Sequence, residues 1–320
     1  MMQFYKKREF GAFISDSFNF FKLYGKNYFK NYILINGLLL ILTIAVVIFG
    51  FREILGQLVG GNLNGESYYF EKYFSDNAGM LTIVGILVFI LFVLLGIVNY
   101  LYPVFYMKRI VEGAQQVKID EILNDFKTNA GRIFKISLGM LVIVFPVSMI
   151  LLGFSYLLLL IFIGFFLILL VYPTVFNVSS FLMYDYFNTK RGFLESLSYS
   201  IRSQFSYPNG SEKSPYWKYW GASIIMFIIM YMITSVFTFV PMIFMYGSIL
   251  TSAPDGNFEA NPFTGAMGII LFLLYGVSIL ATLILYNLMF INAGLMYYDS
   301  RTDLHTKIEL EEIETIGINE

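Results

Sequence analysis

Charged residues are missing from one long stretch of the chain, and that stretch gives the first indication of the architecture. Residues 136–184 run for 49 positions without a single Asp, Glu, Lys or Arg. A transmembrane helix needs about 20 apolar residues at a rise of about 1.5 Å each, so this stretch is long enough for two crossings joined by a short turn. We expect the turn near Gly153-Phe154-Ser155, where a glycine and a serine interrupt the apolar run. The pattern predicts a transmembrane helical hairpin.

Further apolar runs on both sides of the hairpin are long enough to cross a bilayer, and polar segments separate them. Together they predict an all-α integral membrane protein with six transmembrane helices. We expect a single membrane domain over residues 1–298 and an acidic tail over residues 299–320. The predicted spans cover approximately residues 32–51, 80–105, 134–152, 156–182, 219–250 and 264–297.

Amphipathic segments precede the predicted hairpins. Residues 9–30, 119–134 and 193–205 each place apolar or aromatic residues at three- and four-residue steps, with polar residues between them. Such helices are suited to the headgroup region of a bilayer. For residues 9–30 the alternative is a helix packed on a soluble partner, but direct fusion to a span favours the interfacial interpretation. The fold predicted is therefore three hairpin repeats, each preceded by an amphipathic interfacial helix.

The ends of the three returning spans resemble one another. They read NYLYPVFYMK (99–108), FNVSSFLMYD (176–185) and INAGLMYYD (291–299), and each carries an asparagine before its closing charge. Asn99, Asn177 and Asn292 are thus candidates for an intramembrane polar layer lining a cavity. The alternative, which we favour, is that each amide bonds a neighbouring helix, as polar side chains in membrane helices commonly do.

Composition supports a membrane protein and limits its chemistry. Hydrophobic residues make up 58% of the 320 positions and charged residues 13%, against about 25% charged in an ordinary soluble domain. Net charge is −1, so nothing indicates a nucleic-acid partner. The chain contains no cysteine, which excludes disulfides and Cys-ligated metals.

The distribution of positive charge predicts the orientation. Nineteen Lys and Arg residues fall in the N-terminal segment, the segments 106–135 and 185–218, and the tail, whereas two fall on the opposite side. Cationic residues accumulate on the cytoplasmic side of membrane proteins. We therefore expect both termini to be cytoplasmic, in a bacterial cytoplasmic membrane.

No sequence motif indicates catalysis. H-E-x-x-H, Walker A, G-x-G-x-x-G and G-x-S-x-G sequences are all missing, and no ionisable residue lies deep within a predicted span. The single histidine, His305, and the four glutamates at 309, 311, 312 and 314 lie in the polar tail without the spacing of a metal site. We predict no catalytic, cofactor-binding or metal-binding residues, and hence no enzyme.

Two segments resemble a known family. The N-terminal REFGAFISDSFNFFKLYGKNYFK (8–30) and the C-terminal NAGLMYYDSRTDLHTKIELEEIETIG (292–317) are similar to six-helix bacterial membrane proteins grouped with the glycerophosphodiester phosphodiesterase membrane domain. Some members of that family carry a soluble phosphodiesterase barrel. The extramembrane segments of these 320 residues reach about 30 residues, far below the roughly 250 that a barrel needs, so the resemblance implies the membrane part without the catalytic activity.

Two functions remain open from the sequence. The first is a non-catalytic membrane protein that organises lipids or partner proteins at the inner leaflet, with the lipid bilayer and either a membrane protein partner or a second copy of the chain as its contacts. The alternative is a transporter or pore for a small solute or amphiphile, which the repeat and the asparagines suggest.

Overall fold

The computed structural model describes residues 2–51, 54, 67–207, 213–252 and 265–304. Within these residues every regular element is a helix and no strand occurs. The predictions for residues 52–66, for the loop around 253–264 and for most of the acidic tail, including His305, lie outside the described residues. Side chains at a few helix ends, such as 67–70 and 248–252, are likewise not described.

Eleven helices are found in the described part of the chain. They are α1 (Phe10–Ala45), α2 (Ser67–Asp76), α3 (Ala78–Val111), α4 (Ile119–Thr128), α5 (Ala130–Gly139), α6 (Phe145–Leu157), α7 (Ile163–Asn188), α8 (Phe193–Phe205), α9 (Tyr216–Ser252), α10 (Gly265–Leu285) and α11 (Asn287–Ser300). Two π-helical segments, Val46–Phe51 and Met140–Val144, and a 3₁₀ turn, Leu158–Ile161, connect or extend them.

Six stretches of these helices are long and apolar enough to cross a bilayer, which confirms the predicted number of spans within the described residues. Their bounds are Phe10–Gly50, Ala78–Val111, Ala130–Ile161, Ile163–Asn188, Tyr216–Gly247 and Ala266–Ser300. Their outward surface is strongly apolar: Leu160 is 92% exposed, and Ile150 and Leu157 are each 70% exposed. Water-soluble proteins rarely expose a continuous apolar surface of this kind. These helices therefore contact lipid, and the chain is a multi-pass membrane protein.

The turn of the central hairpin differs from the prediction. Helix α6 continues through Gly153 and Ser155, and the chain reverses at the 3₁₀ turn and at Phe162, which has a left-handed φ of 63°. Serine is tolerated inside a membrane helix because its hydroxyl bonds the preceding turn, as Ser155 does with the Leu151 carbonyl at 2.8 Å. The glycine that the turn requires is Gly164, where a Cβ atom would overlap the carbonyl oxygen of Ser155.

Two further boundaries are defined by the structure. The predicted helix over residues 9–30 continues directly into the first span, because α1 runs without interruption from Phe10 to Ala45. The last predicted span, residues 264–297, is divided by a turn at Tyr286 into α10 and α11.

The chain divides into two compact units. The first comprises Met1–Ile35, Tyr100–Ile229 and Asn287–Glu320, and the second Asn36–Asn99 and Met230–Tyr286. In the second unit, α10 packs on the π-helical segment through Val47, Leu271 and Phe272. Close approach is aided by Gly276, whose added Cβ would lie 3.2 Å from Ile44.

Aromatic rings form a large part of the core of the first unit, beside aliphatic side chains such as Leu101, Ile122 and Leu295. Tyr28 lies edge-on to Tyr102 and Tyr106 at centroid distances of 4.9 and 4.8 Å, and Tyr184 stacks on Tyr297 at 5.7 Å. Each such pair contributes about 0.5–1.5 kcal/mol beyond the area that it buries. A tyrosine buried in this way needs a hydrogen-bond partner for its hydroxyl, so the core positions polar groups as well as rings. The fully buried rings are Tyr28, Tyr32, Tyr102, Tyr106, Tyr184, Tyr219, Tyr297, Tyr298, Phe13, Phe20, Phe105 and Phe181.

Candidate functional site

A densely bonded polar group of the first unit surrounds the carboxylate of Asp299, in the last turn of α11. Asp299 is completely buried. Its Oδ2 accepts hydrogen bonds from Lys218 Nζ at 2.8 Å, from the Tyr219 hydroxyl at 2.7 Å and from the Tyr207 hydroxyl at 3.2 Å. Its Oδ1 accepts the backbone N–H of Arg8 at 2.5 Å. We call Asp299, Lys218, Tyr219, Tyr207 and Arg8 the Asp299 cluster.

Arg8 ties the N-terminal segment into this cluster. Its guanidinium is fully buried and donates to Asp16 Oδ2 at 3.0 Å, to the Phe4 carbonyl at 2.8 Å and to the Gln3 carbonyl at 2.7 Å. Burial lowers the pKa of Arg8, and the hydrogen bond and charge of Asp16 oppose that shift. Lys218 adds a bond to the Arg8 carbonyl at 2.9 Å. The first ten residues are therefore held in place by charge-assisted bonds, which are the stronger kind.

A second buried carboxylate, Asp185, closes α7 in the same unit. Its Oδ1 accepts Arg191 Nη1 at 2.9 Å and the Tyr297 hydroxyl at 3.4 Å. The same hydroxyl accepts Arg301 Nη1 at 3.0 Å, and Arg301 forms a bidentate pair with Asp303, with both N–O distances 3.0 Å. Burial acts to raise the pKa of Asp303, but the hydrogen bonds and charge of Arg301 outweigh it and hold that pKa below its ordinary value.

Cations also satisfy the carbonyl groups at the C-terminal end of α7. Lys108 Nζ donates to the Phe187 carbonyl at 3.1 Å, and Arg132 donates to the carbonyls of Tyr186 and Thr189 while its guanidinium lies 4.2 Å from the Tyr186 ring centre. The last carbonyls of a helix have no intrahelical donor and carry a partial negative charge. These basic residues therefore cap α7.

Two of the three asparagines singled out in the sequence lie in the first unit, and both are buried. Asn177 accepts the Ser223 hydroxyl at 2.7 Å, which joins α7 to α9. Asn292 donates to the Phe13 carbonyl at 3.1 Å and to the Ser17 hydroxyl at 3.0 Å, which joins α11 to α1. Each amide thus bonds a neighbouring helix.

Asn99 belongs to the second unit and has the same kind of contact. Its Oδ1 accepts Asn36 Nδ2 at 3.2 Å, and both side chains are buried. A polar layer shared by all three asparagines stays a prediction.

Helix α8 buries its polar face and exposes its apolar face, which is the opposite of a surface helix in a water-soluble protein. It packs on α7, and the side chains it buries are polar: Ser196, Ser200, Ser203 and Gln204. Its apolar face points outward, with Leu194 68%, Ile201 45% and Phe205 52% exposed. Covering these three side chains with an apolar medium would contribute about 2–5 kcal/mol.

Two clefts open on the surface of the first unit, and Tyr207 borders both. The larger, about 700 Å³, holds the arginines Arg191 and Arg202 together with the acids Glu195 and Asp303. The smaller, about 520 Å³, carries a different balance of charge. Four basic side chains and one acidic side chain line it: Lys7, Arg8, Lys213, Lys218 and Glu9.

The two buried carboxylates of the first unit have the same kind of environment. Asp185 and Asp299 are each held by a cation and by tyrosine hydroxyls. Nowhere in the described part of the chain do three or more His, Asp or Glu side chains converge as they do in a metal site.

Reasoning from the sequence identified the asparagines but missed the buried aspartates and Lys218. The available signal was that two apolar helices end in tyrosine followed by Asp185 or Asp299, with basic residues near the start of later segments. A buried carboxylate needs a cation and several donors. Which cation meets which carboxylate depends on contacts between residues as far apart as Lys218 and Asp299.

Comparisons with protein-family models, with curated proteins and with solved structures find no match to this chain.

Proposed function

We propose that this multi-pass protein is a non-catalytic component of a bacterial cytoplasmic membrane, with both termini in the cytoplasm, that organises lipids or partner proteins at the inner leaflet. The observation that carries the proposal is the reversed amphipathicity of α8. A helix whose serine face is buried in protein and whose apolar face points outward is stable where lipid covers that outer face.

Site-directed spin labelling tests the placement of α8. The chain has no cysteine, so Ile201→Cys or Glu195→Cys introduces a unique labelling site on the apolar or the polar side of one helix. In liposomes we expect a nitroxide at residue 201 to be relaxed more by oxygen than by a water-soluble nickel chelate, and one at residue 195 to show the opposite. Equal preference for the nickel chelate at both positions would refute an interfacial α8.

Purification in a mild detergent, followed by mass spectrometry of what remains bound, tests the organising role. Retained lipid or a stoichiometric protein partner supports the proposal, and a protein that retains neither contradicts it. Membership in the six-helix family that the two end segments resemble stays a prediction within the same proposal.

Transport of a small solute or amphiphile is the alternative, and the buried asparagines are the feature that favours it. Asn177, Asn292 and Asn99 each bond another helix, which reduces their capacity to coordinate a solute. Flux into liposomes containing the purified protein, above that of empty liposomes, would establish transport.

A further inference from the structure

The smaller cleft of the first unit has the lining of an anion site; we call it the basic cleft. It holds about 520 Å³ between the N-terminal segment and the start of α9, and its charged lining is Lys7, Arg8, Lys213 and Lys218 against Glu9. Arg8 is paired with Asp16 and Lys218 with Asp299, and Lys7 Nζ lies 5.6 Å from the centre of the Tyr207 ring. Lys7 and Lys213 are both exposed to solvent.

Two helices begin at this cleft. Glu9 and Phe10, at the start of α1, and Ser214 and Pro215, just before α9, all contribute to its walls. The two helix starts are packed together, because a Cβ atom added to Gly221 would lie 2.8 Å from the Phe10 ring. The first N–H groups of a helix lack intrahelical acceptors, and its N-terminus carries a partial positive charge. The helix starts therefore add to the positive potential of Lys7 and Lys213, the two basic side chains of the lining that are not paired with Asp16 or Asp299.

The position of the cleft indicates where the anion comes from. Helix α9 begins a candidate span at Tyr216, and Trp217 and Trp220 lie in its first turns. Trp217 is 64% exposed and Phe10, on the cleft wall, is 40% exposed. Tryptophan in this position is typical of the headgroup level of a bilayer. The source of an anion bound at this level is therefore a lipid headgroup of the membrane itself.

We propose that the basic cleft binds the phosphate of an anionic phospholipid headgroup, with Lys7 and Lys213 supplying the long-range attraction and the lipid tails lying along Phe10 and Trp217. This inference rests on the proposed function, because it names the lipid class that a lipid-organising protein holds. A zwitterionic lipid has less to gain here, since its own cation opposes the basic lining.

Tryptophan fluorescence is the probe. The chain has two tryptophans, Trp217 and Trp220, and both lie at the start of α9 beside the cleft. In nanodiscs we expect brominated phosphatidylglycerol to quench their fluorescence at a lower mole fraction than brominated phosphatidylcholine. The double variant Lys7→Gln/Lys213→Gln should weaken the apparent affinity for phosphatidylglycerol by about 30-fold, because each basic residue at the membrane surface contributes about fivefold and two are removed. Lys22→Gln/Lys26→Gln is the matched control: it removes the same charge from exposed positions on α1 that do not line the cleft.

Three results would overturn the inference. The first is equal quenching by the two brominated lipids, and the second is an equal loss of affinity in the control variant, which would indicate general surface attraction. The third is full protection of the tryptophans by inorganic phosphate, which would assign the cleft to a free anion. Circular dichroism melting of each variant without added lipid verifies folding, and a variant that melts early is replaced by the single change Lys213→Gln.

Failure of the cleft and failure of the proposed function are distinguishable. If both lipids quench equally while a label at residue 201 still favours oxygen, the headgroup site is refuted and the interfacial placement of α8 stands. If a label at residue 201 shows no preference for oxygen, the proposed function is refuted, whichever lipid contacts the tryptophans.

Discussion

Asp299→Ala should strongly lower the stability of the first unit, because it removes the carboxylate shared by four donors. Lys218, Tyr219 and Tyr207 would lose a carboxylate oxygen, and the Arg8 backbone N–H would lose its bond of 2.5 Å. The contact between α11, α9 and the N-terminal segment depends on these four bonds.

The size of the effect follows from burial. Removing one partner of a buried ion pair costs about 3–5 kcal/mol, because the remaining charge is left without compensation. Lys218 is 19% exposed and keeps its bonds to the Tyr207 hydroxyl and the Arg8 carbonyl, which places its share toward the lower end. The Tyr219 hydroxyl, buried and left without its acceptor, adds about 1–3 kcal/mol. We expect a total loss of about 3–5 kcal/mol, since the terms overlap.

The measurement is the free energy of unfolding in mixed micelles titrated with a denaturing detergent. Asp120→Ala, at an exposed position in the first turn of α4, is the control and should lose less than about 1 kcal/mol through the helix dipole. Asp299→Asn keeps the shape and one acceptor oxygen, so its loss should lie between those of Asp120→Ala and Asp299→Ala.

A second variant tests the cause of the stability loss in Asp299→Ala as well as its magnitude. If the uncompensated ammonium is what destabilises Asp299→Ala, then adding Lys218→Met should recover part of the lost stability, because an apolar pair can replace a buried ion pair at little cost. A loss below about 1 kcal/mol in Asp299→Ala, or a double variant that is less stable than the single one by the full effect of Lys218→Met alone, would refute the reasoning.

Two further outcomes are expected. Gly164→Ala should destabilise the hairpin by about 1–3 kcal/mol, because its Cβ would overlap the Ser155 carbonyl. Gly153 has open space around it, so Gly153→Ala should be neutral or slightly stabilising. The same unfolding assay compares the two variants, and equal effects would contradict the position of the turn. Because Arg301 holds the pKa of Asp303 below its ordinary value of 3.8, the pair stabilises the protein fully above that value and loses its contribution as the pH falls through the folded-state pKa. The difference in thermal midpoint between the unchanged protein and Asp303→Asn should therefore be constant from pH 7 to about pH 5 and shrink below about pH 4; a difference that grows on acidification would show that the sign is wrong.

The central hairpin shows how far sequence reasoning reaches in a membrane protein. An uncharged run of 49 residues predicts two crossings because the thickness of the bilayer sets the length of a span. It does not locate the turn, since glycine and serine are both accommodated inside membrane helices. The reversal at Phe162 depends on the close approach of Gly164 to Ser155, which is a contact between two helices and leaves no local signature.

The six spans, the helical class and the amphipathic pattern of residues 193–205 follow from the sequence alone, because each depends on side-chain polarity at a fixed helical period. Which face of α8 is buried is decided by the tertiary structure, which places Ser200 against the protein and Ile201 outside. The tertiary structure also pairs Asp299 with Lys218. The reason is physical: polarity along a helix is local information, whereas the partner of a buried charge is chosen by which helices pack together, and residues 81 positions apart meet only in the folded chain.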